Sequence, residues 1–396
     1  MKLIHCADLH LDSRMSTHLG EAAARERRQE LIGTWLHLVA YAEQHQVCAI
    51  LIAGDLFDRP AVSRTTAHAV LESVRTHPDI AFFYLKGNHD TDSFLNQAES
   101  LPENLYTFQD TWRKYRLSEH LVIAGREFTE SGTLNELAAK TLRLEEADVN
   151  IVLLHGQISE STAQDSVSTE TIRLTDYAHQ GIDYLALGHV HQYQEGSLDG
   201  RGSWCYPGCL EGRGFDECTQ HGFVLLDVDE TTHQIRRQLV DISQRHLWTV
   251  PLEVQGLGSS MAIVRRARAL LSLLSGTPSA DPEIAEIPAE RVEAILQAGA
   301  GVRMRPQDLV KLELRGALSM DAELNLDFIR TQLAPMFYYL RVVDETRRFI
   351  DPSMYQHDKS LKGAFVHSVE ADATLDEETQ AAVIEAGLRL LRGEEL

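Results

Sequence analysis

Five apolar runs in the first 245 residues stop at side chains able to hold a metal ion, and this pattern constrains the chain more than any other. "KLIHCA" is followed by Asp8 and His10, and "CAILIAG" by Asp55 and Asp58. "IAFFYLK" runs into Gly87, Asn88, His89 and Asp90, "NIVLLH" ends on His155, and "IDYLALG" precedes His189 and His191. Continuous apolar runs of this length read as strands buried on both faces. Helical patterns lie between the early ones. Residues 21–46 put Leu31, Trp35, Leu38 and Ala42 on one face, and residues 64–76 and 134–146 behave alike. The expected fold class is α/β, layered, with helices packed on sheets. In open α/β sheets, ligands gather beyond the carboxyl ends of the strands. Alternate residues leaving a strand point the same way, so Asp8 with His10, and His189 with His191, are each expected to bite as a pair.

Satisfied core histidines and loop acids could account for one such cluster, but not for five in order at strand ends. The set mixes carboxylates (Asp8, Asp55), an amide oxygen (Asn88) and imidazoles (His10, His155, His189, His191). Seven donors are too many for one tetrahedral zinc. They suit two adjacent ions with a bridging carboxylate. Mixed O/N donors fit Mn, Fe or Zn and are too rich in nitrogen for Ca or Mg. Two such ions form a clamp for in-line phosphoryl displacement.

The chain has 396 residues and a net charge of −22. Phosphate contacts rely on Lys and Arg, so the acidic balance argues against a nucleic-acid partner unless bound cations make the site locally positive. No apolar run approaches the ~18 residues of a membrane span. The apolar part of "MKLIHCADLH" is too short for a signal sequence, so no membrane contact and a cytoplasmic location are expected. Five cysteines, thinly spread, fit reduced thiols, and Cys205, Cys209 and Cys218 lack a CxxC spacing.

The character changes near residue 245. Strands at 247–256, 308–316 and 337–346, with helices at 259–275 and 322–334, predict a small second α/β domain, and 276–290 reads as a loop. The organisation expected is therefore 1–245, 246–347, and a connector with one terminal helix over 348–396. That helix has a capping-box pattern from Thr374 to Glu377, with Val383, Ile384, Leu388 and Leu391 on one side.

The strand-end motifs resemble those of the calcineurin-like metallophosphoesterases: D-x-H, G-D-x-x-D/H, G-N-H-D/E, a lone H, and G-H-x-H. Within that superfamily, "KLIHCADLHLD", "GDLFDRP", "GHVHQ" and "YPGCLEGRGFDECTQHGFVLLDV" resemble the SbcD-type DNA double-strand-break nucleases of bacteria. The resemblance covers about the first 245 residues. Beyond them only the layout is similar, a small cap domain and a terminal helix.

The resemblance implies an α-β-β-α sandwich and a dimetal-dependent DNA nuclease, exonucleolytic with endonuclease capacity, with Mn2+ as the favoured ion. It places Asp8, His10, Asp55 and His191 on one ion, and Asp55, Asn88, His155 and His189 on the other. His89 would act on the leaving oxygen and Asp90 would orient it. Archaeal and eukaryotic members commonly carry a histidine at the position of Asp58. Here Asp58 is expected to hydrogen-bond histidines behind the metals. The family's usual serine is Cys209. Arg14, Arg59, Arg64, Lys86, Arg126 and Arg213 are candidates for phosphate contacts. The implied partners are DNA and an SMC-like coiled-coil ABC ATPase of the SbcC type, gripped by the terminal helix, and a homodimer is compatible with the layout. The alternatives are another metallophosphoesterase, such as a cyclic-nucleotide phosphodiesterase or a nucleotide pyrophosphatase, and, from a different class, a scaffold with an inert site.

Overall fold

The computed structural model describes all residues except 16–18, 60–61, 92–93, 98–99, 129–135, 160–170, 278–281, 320–321, 350–354, 356 and 392–396. It divides into two compact units, Met1–Leu247 and Trp248–Leu396. None of the described helices is long and apolar enough to cross a membrane.

The first unit runs β1 (Lys2–Cys6), α1 (Glu21–Gln44), β2 (Ala49–Ala53), α2 (Arg64–Arg75), β3 (Ala81–Leu85), β4 (Leu105–Thr107), β5 (Arg113–Arg116), β6 (Leu121–Gly125) and α3 (Glu136–Thr141). It continues through β7 (Val149–His155), β8 (Gln157–Ile158), β9 (Thr171–Ile172), α4 (Leu174–Tyr177), β10 (Tyr184–Gly188), β11 (Gln194–Ser197), β12 (Ser203–Tyr206), β13 (Phe223–Asp229) and β14 (Gln234–Val240). Two six-stranded sheets result, in the orders β14-β13-β1-β2-β3-β4 and β11-β12-β10-β7-β6-β5. The strands that carry the site motifs are parallel within their sheets.

The apolar runs read as doubly buried, and they are. Leu3, Leu51, Phe83 and Leu85 of the first sheet meet Ile151, Leu153 and Ala186 of the second in one core. Their alternates, Ile4, Ile50, Ile52 and Phe82, pack with Leu31, Trp35 and Leu38 of α1. On the far side, Val152, Leu154, Leu185 and Leu187 pack with Ala139 of α3 and Tyr177 of α4. The unit is an α-β-β-α sandwich. The predicted strands all form, whereas β4, β5, β11 and β12 carry no long apolar run and were not anticipated. The helix expected over 134–146 is shorter, Glu136–Thr141, and its predicted start lies outside the described residues.

A buried ionic network ties α1 to the segment after β12. Arg27, 1% exposed, donates through Nη2 to Glu211 Oε2 at 3.1 Å and to the carbonyl of Gly212 at 2.8 Å. Arg245 Nε donates to Glu30 Oε1 at 2.8 Å. Burial alone would raise the Glu30 pKa, but the guanidiniums of Arg245 and Arg27 outweigh it and hold the carboxyl below its ordinary value. A depressed folded-state pKa contributes stability above the unfolded value, about 4.3 for Glu. That contribution is lost as pH falls through the folded value. The urea midpoint is therefore expected to drop between pH 6 and 3, and Glu30→Gln to drop less steeply; equal slopes for the two proteins would refute this role.

The second unit contains β15 (Leu247–Glu253, its first residue shared with the first unit), α5 (Ser260–Ser275), α6 (Ala289–Ala298), β16 (Leu309–Ser319), α7 (Leu326–Leu333), β17 (Tyr339–Phe349), α8 (Leu361–Glu370) and α9 (Glu377–Leu390). The strands form a sheet in the order β15-β16-β17, packed with Ile263, Leu270 and Leu274 of α5 and Ile329 and Leu333 of α7. Part of the expected loop over 276–290 is a 3-10 turn, Pro282–Glu286, and α6 follows because Val292 and Ile295 bury one face.

The connector is not wholly irregular: α8 forms within it and packs against α9. Ile384 and Leu388 bury against Val366 and Val369, whereas Val383 and Leu391 stay exposed. The expected apolar stripe of α9 is therefore split. The cap also differs. Thr379 N–H donates to Asp376 Oδ1 at 2.7 Å, while the Thr374 hydroxyl is taken by Asp372. An aspartate immediately before the helix reaches its first-turn donors better than Thr374 can.

Candidate metal centre

The segments after β1 and β2 continue side by side beyond the sheet. Asp8 N–H donates to Gly54 O at 3.1 Å, His10 N–H to Asp55 O at 3.0 Å, and Leu11 N–H to Leu56 O at 3.0 Å. This extension sets Asp8 and His10 beside Asp55. Their convergence does not come from strand alternation, because β1 has already ended at Cys6. It comes from left-handed backbone: φ is 53° at Asp8, 44° at His10, 51° at Asp55 and 102° at His189. Residues with side chains rarely adopt such angles, and they persist where the surroundings over-determine them, often at functional sites. Close approach matters too. A Cβ on Gly188 would fall on the carbonyl of Ala53, and one on Gly87 would fall on Asp55.

The structure brings the expected donors together at the shared end of both sheets. Atoms of Asp8, His10 and His191 lie within 4.8 Å of one another, as do those of Asp8, Asp55 and His155. Asp55 Oδ2 is 3.7 Å from His10 Nε2 and 3.5 Å from His155 Nε2, so one carboxylate touches both groups. Asn88 Oδ1 is 3.0 Å from His155 Nε2. The His189 ring stands edge-on to His155, with centroids 5.4 Å apart, and its main-chain N–H donates to Asp8 at 3.0 Å. Asp8, His10, Asp55 and His155 are buried, His189 and His191 half-buried, and Asn88 and His89 exposed. The site thus has a charged floor and an open mouth.

The donor chemistry fits divalent cations. The Nε2 atoms of His10 and His191 face each other at 3.1 Å, and two imidazoles make such a contact only around a shared proton or cation. Burial, with the charge of Asp55 adding to it, pushes the Asp8 carboxyl up to about 6 despite the opposing pull of His155. Burial alone would lower the His155 pKa, yet its bond to Asp55 and the charges of Asp55 and Asp8 lift it to about 9. Burial pulls His10 down to about 4. A buried cluster with two carboxylates and converging lone pairs is one that a dication stabilises.

Three side chains behave differently from expectation. Asp90 does not orient His89. Its Oδ1 accepts from Phe57 N–H at 2.9 Å, and its Oδ2 from Leu56 N–H at 3.2 Å and Gly87 N–H at 3.0 Å. It clamps the turn after β2 to the turn after β3, and burial raises its pKa to about 7. Arg213 is not a free phosphate ligand, because it is engaged by Asp58 and Glu217. Lys86 is likewise paired, 3.2 Å from Glu127. Asp58 Oδ1 lies 3.3 Å from His10 Nδ1 in an ion-pair contact.

Glu217 was missed. Its Oε1 lies 2.7 Å from His191 Nδ1. It follows His191 by 26 residues within "GRGFDEC", a stretch without periodicity that only its proximity to Arg213 singles out. Cys209 is a buried thiol 3.3 Å from His221 Nδ1 and 3.8 Å from Glu217 Oε2. Burial pushes its pKa well above the ordinary thiol value, so it packs there as a neutral group.

Residues 1–193 match the family model described as calcineurin-like phosphoesterase. The chain is 30% identical over 238 residues to the uncharacterized metallophosphoesterase YhaO of Bacillus subtilis (strain 168), a match covering 58% of this chain and 57% of that protein. It is 26% identical over 293 residues to the DNA double-strand break repair protein Mre11 of Aeropyrum pernix, covering 67% of this chain and 66% of that one. It is 23% identical over 270 residues to the SbcD component of the SbcCD nuclease of Escherichia coli (strain K12), covering 57% and 64%. In each case the match spans less than two thirds of the relative's own length.

Proposed function

We propose that the chain, whose residues 1–193 match the calcineurin-like phosphoesterase model, is a dimetal-dependent nuclease that hydrolyses phosphodiester bonds in DNA during repair or recombination. The observation that carries the reading is the single carboxylate, Asp55, in reach of imidazoles from both groups of donors. Asp8, His10, Asp55 and His191 would hold one ion, and Asp55, Asn88, His155 and His189 the other, with Mn2+ the favoured metal. When bound, the ions supply Lewis-acid charge to the phosphoryl oxygens and make water acidic enough to react near neutral pH. Asn88 adds an oxygen donor without another negative charge facing the phosphate. His89 stands exposed at the mouth, with Nδ1 3.4 Å from the carbonyl of Asp58. It is the proton donor to the leaving oxygen, a task an imidazole can perform.

The relatives named for DNA double-strand break repair and as a nuclease support DNA as substrate. An SMC-like coiled-coil ATPase partner would supply the basic DNA surface that a chain of net charge −22 lacks. The exposed Leu361 and Leu390 on the α8–α9 hairpin favour a docked partner there. The same acidic charge favours a second reading, a phosphodiesterase of small substrates. End-labelled single- and double-stranded oligonucleotides, tested beside bis-p-nitrophenyl phosphate and a cyclic nucleotide, separate the two. DNA shortening with Mn2+ and none with excess EDTA is the expected result. Turnover of the small esters with DNA left intact would replace the nuclease reading, and DNA cleavage in EDTA would remove the metals from it.

A further inference from the structure

The facing imidazoles of His10 and His191 are each backed at the far nitrogen by a carboxylate, and one guanidinium joins those carboxylates. Glu217 Oε1 is 2.7 Å from His191 Nδ1, and Asp58 Oδ1 is 3.3 Å from His10 Nδ1. Arg213 Nη1 donates to Asp58 Oδ1 at 2.8 Å, and Nη2 donates to Glu217 Oε1 at 3.2 Å. The main-chain N–H of Arg213 donates to Glu217 Oε2 at 2.7 Å. The guanidinium is mostly buried, and the bond from Arg27 to the Gly212 carbonyl holds the neighbouring main chain to α1.

The other buried imidazole is backed differently. His155 Nδ1 faces the carbonyl of Ala53 at 2.9 Å, a neutral acceptor. A carboxylate behind a ligating histidine fixes the tautomer that presents Nε2 as a lone pair. It also holds the ring in the orientation that aims Nε2 at the ion. Arg213 keeps the two carboxylates from repelling each other and fixes their spacing, as a planar fork does better than an ammonium. From this asymmetry, we infer that Asp58, Arg213 and Glu217 form a positioning network that makes the Asp8–His10–His191 position the tighter of two unequal cation positions. The inference rests on the dimetal reading above. Its consequence is ordered loading: the Asp8–His10–His191 position fills first and the Asp55–Asn88–His155 position second.

Calorimetric titration of the metal-free full chain with Mn2+, with bound ions counted per chain, tests it. Two classes of one ion each are expected. Glu217→Gln should weaken the tighter class by roughly 10–100-fold, the usual effect of losing an outer partner of a metal ligand, and leave the weaker class in place. Arg213→Lys keeps the charge without the fork and should weaken the same class by less; it carries the test if circular dichroism shows Glu217→Gln unfolded. Two equal sites in the wild-type chain, an equal loss at both classes, a loss confined to the weaker class, or no change in either variant would overturn the network. A wild-type chain that binds no Mn2+ would instead overturn the dimetal reading, and the network with it.

Discussion

Asp55→Asn is expected to lower the proposed DNA hydrolysis by about 10³-fold or more, some 4 kcal/mol of barrier, a larger loss than removal of any single outer ligand. The amide has the shape of the carboxylate, so the bond that Asp55 Oδ1 accepts from the His89 main-chain N–H at 2.9 Å can persist. What disappears is the charge that Asp55 Oδ2 presents to His10 and His155 together. Because the proposed ions share this one residue, both should bind more weakly. Loss of an outer donor such as His189 touches only one. The measurement is kcat/KM on a labelled duplex beside the Mn2+ content of the same sample. A variant within tenfold of wild type would end the shared-ligand role.

His89→Ala is expected to slow the reaction by roughly 10²–10⁴-fold, the range for removing a general acid, while Mn2+ content stays at the wild-type level. The substitution is clean for a structural reason. His89 supports the site through its main-chain N–H on Asp55, which alanine keeps. Its ring stands edge-on to His10, centroids 5.0 Å apart, and is exposed. His89 atoms also fall within 4.8 Å of His10 and Asp58, a group that could itself hold an ion. If metal content falls in step with the rate, His89 is a ligand and the acid must be sought elsewhere.

The donors were legible in the sequence because their strands are buried on both faces. "AILIA" and "YLALG" have no polar residue to blur where the strand stops, so the first polar side chains after them stand out. The manner of their convergence was not legible. Left-handed backbone at Asp8, His10 and His189 is only faintly signalled by residue type, since Asp and His visit that region more often than most residues yet far less than glycine. Adjacency also misled: Asp90 follows His89 in sequence, yet its carboxylate turns to three main-chain donors, which a turn between strands supplies in plenty. Glu217 stayed hidden for a related reason. Its partner is distant in sequence, and no period relates a loop residue to the histidine it supports. The short edge strands β5 and β11 were missed because "RKYR" and "QEGS" are polar and half in solvent, where alternation carries little signal.

The division of the donors between the sheets has a mechanical consequence. Asp8, His10, Asp55 and Asn88 follow strands of one sheet, and His155, His189 and His191 belong to the other. Most of what holds the two faces together is apolar packing, which is non-directional. An ion held from both sides, as proposed, would act as a bolt through the sandwich and would have to be released before the layers part. Thermodynamic linkage then makes the fold answer to its surroundings: a hundredfold excess of free cation over its dissociation constant adds about 2.7 kcal/mol per site. Scarcity of the metal would therefore loosen the domain as well as silence it, and turnover of the protein by proteases would follow the cation supply.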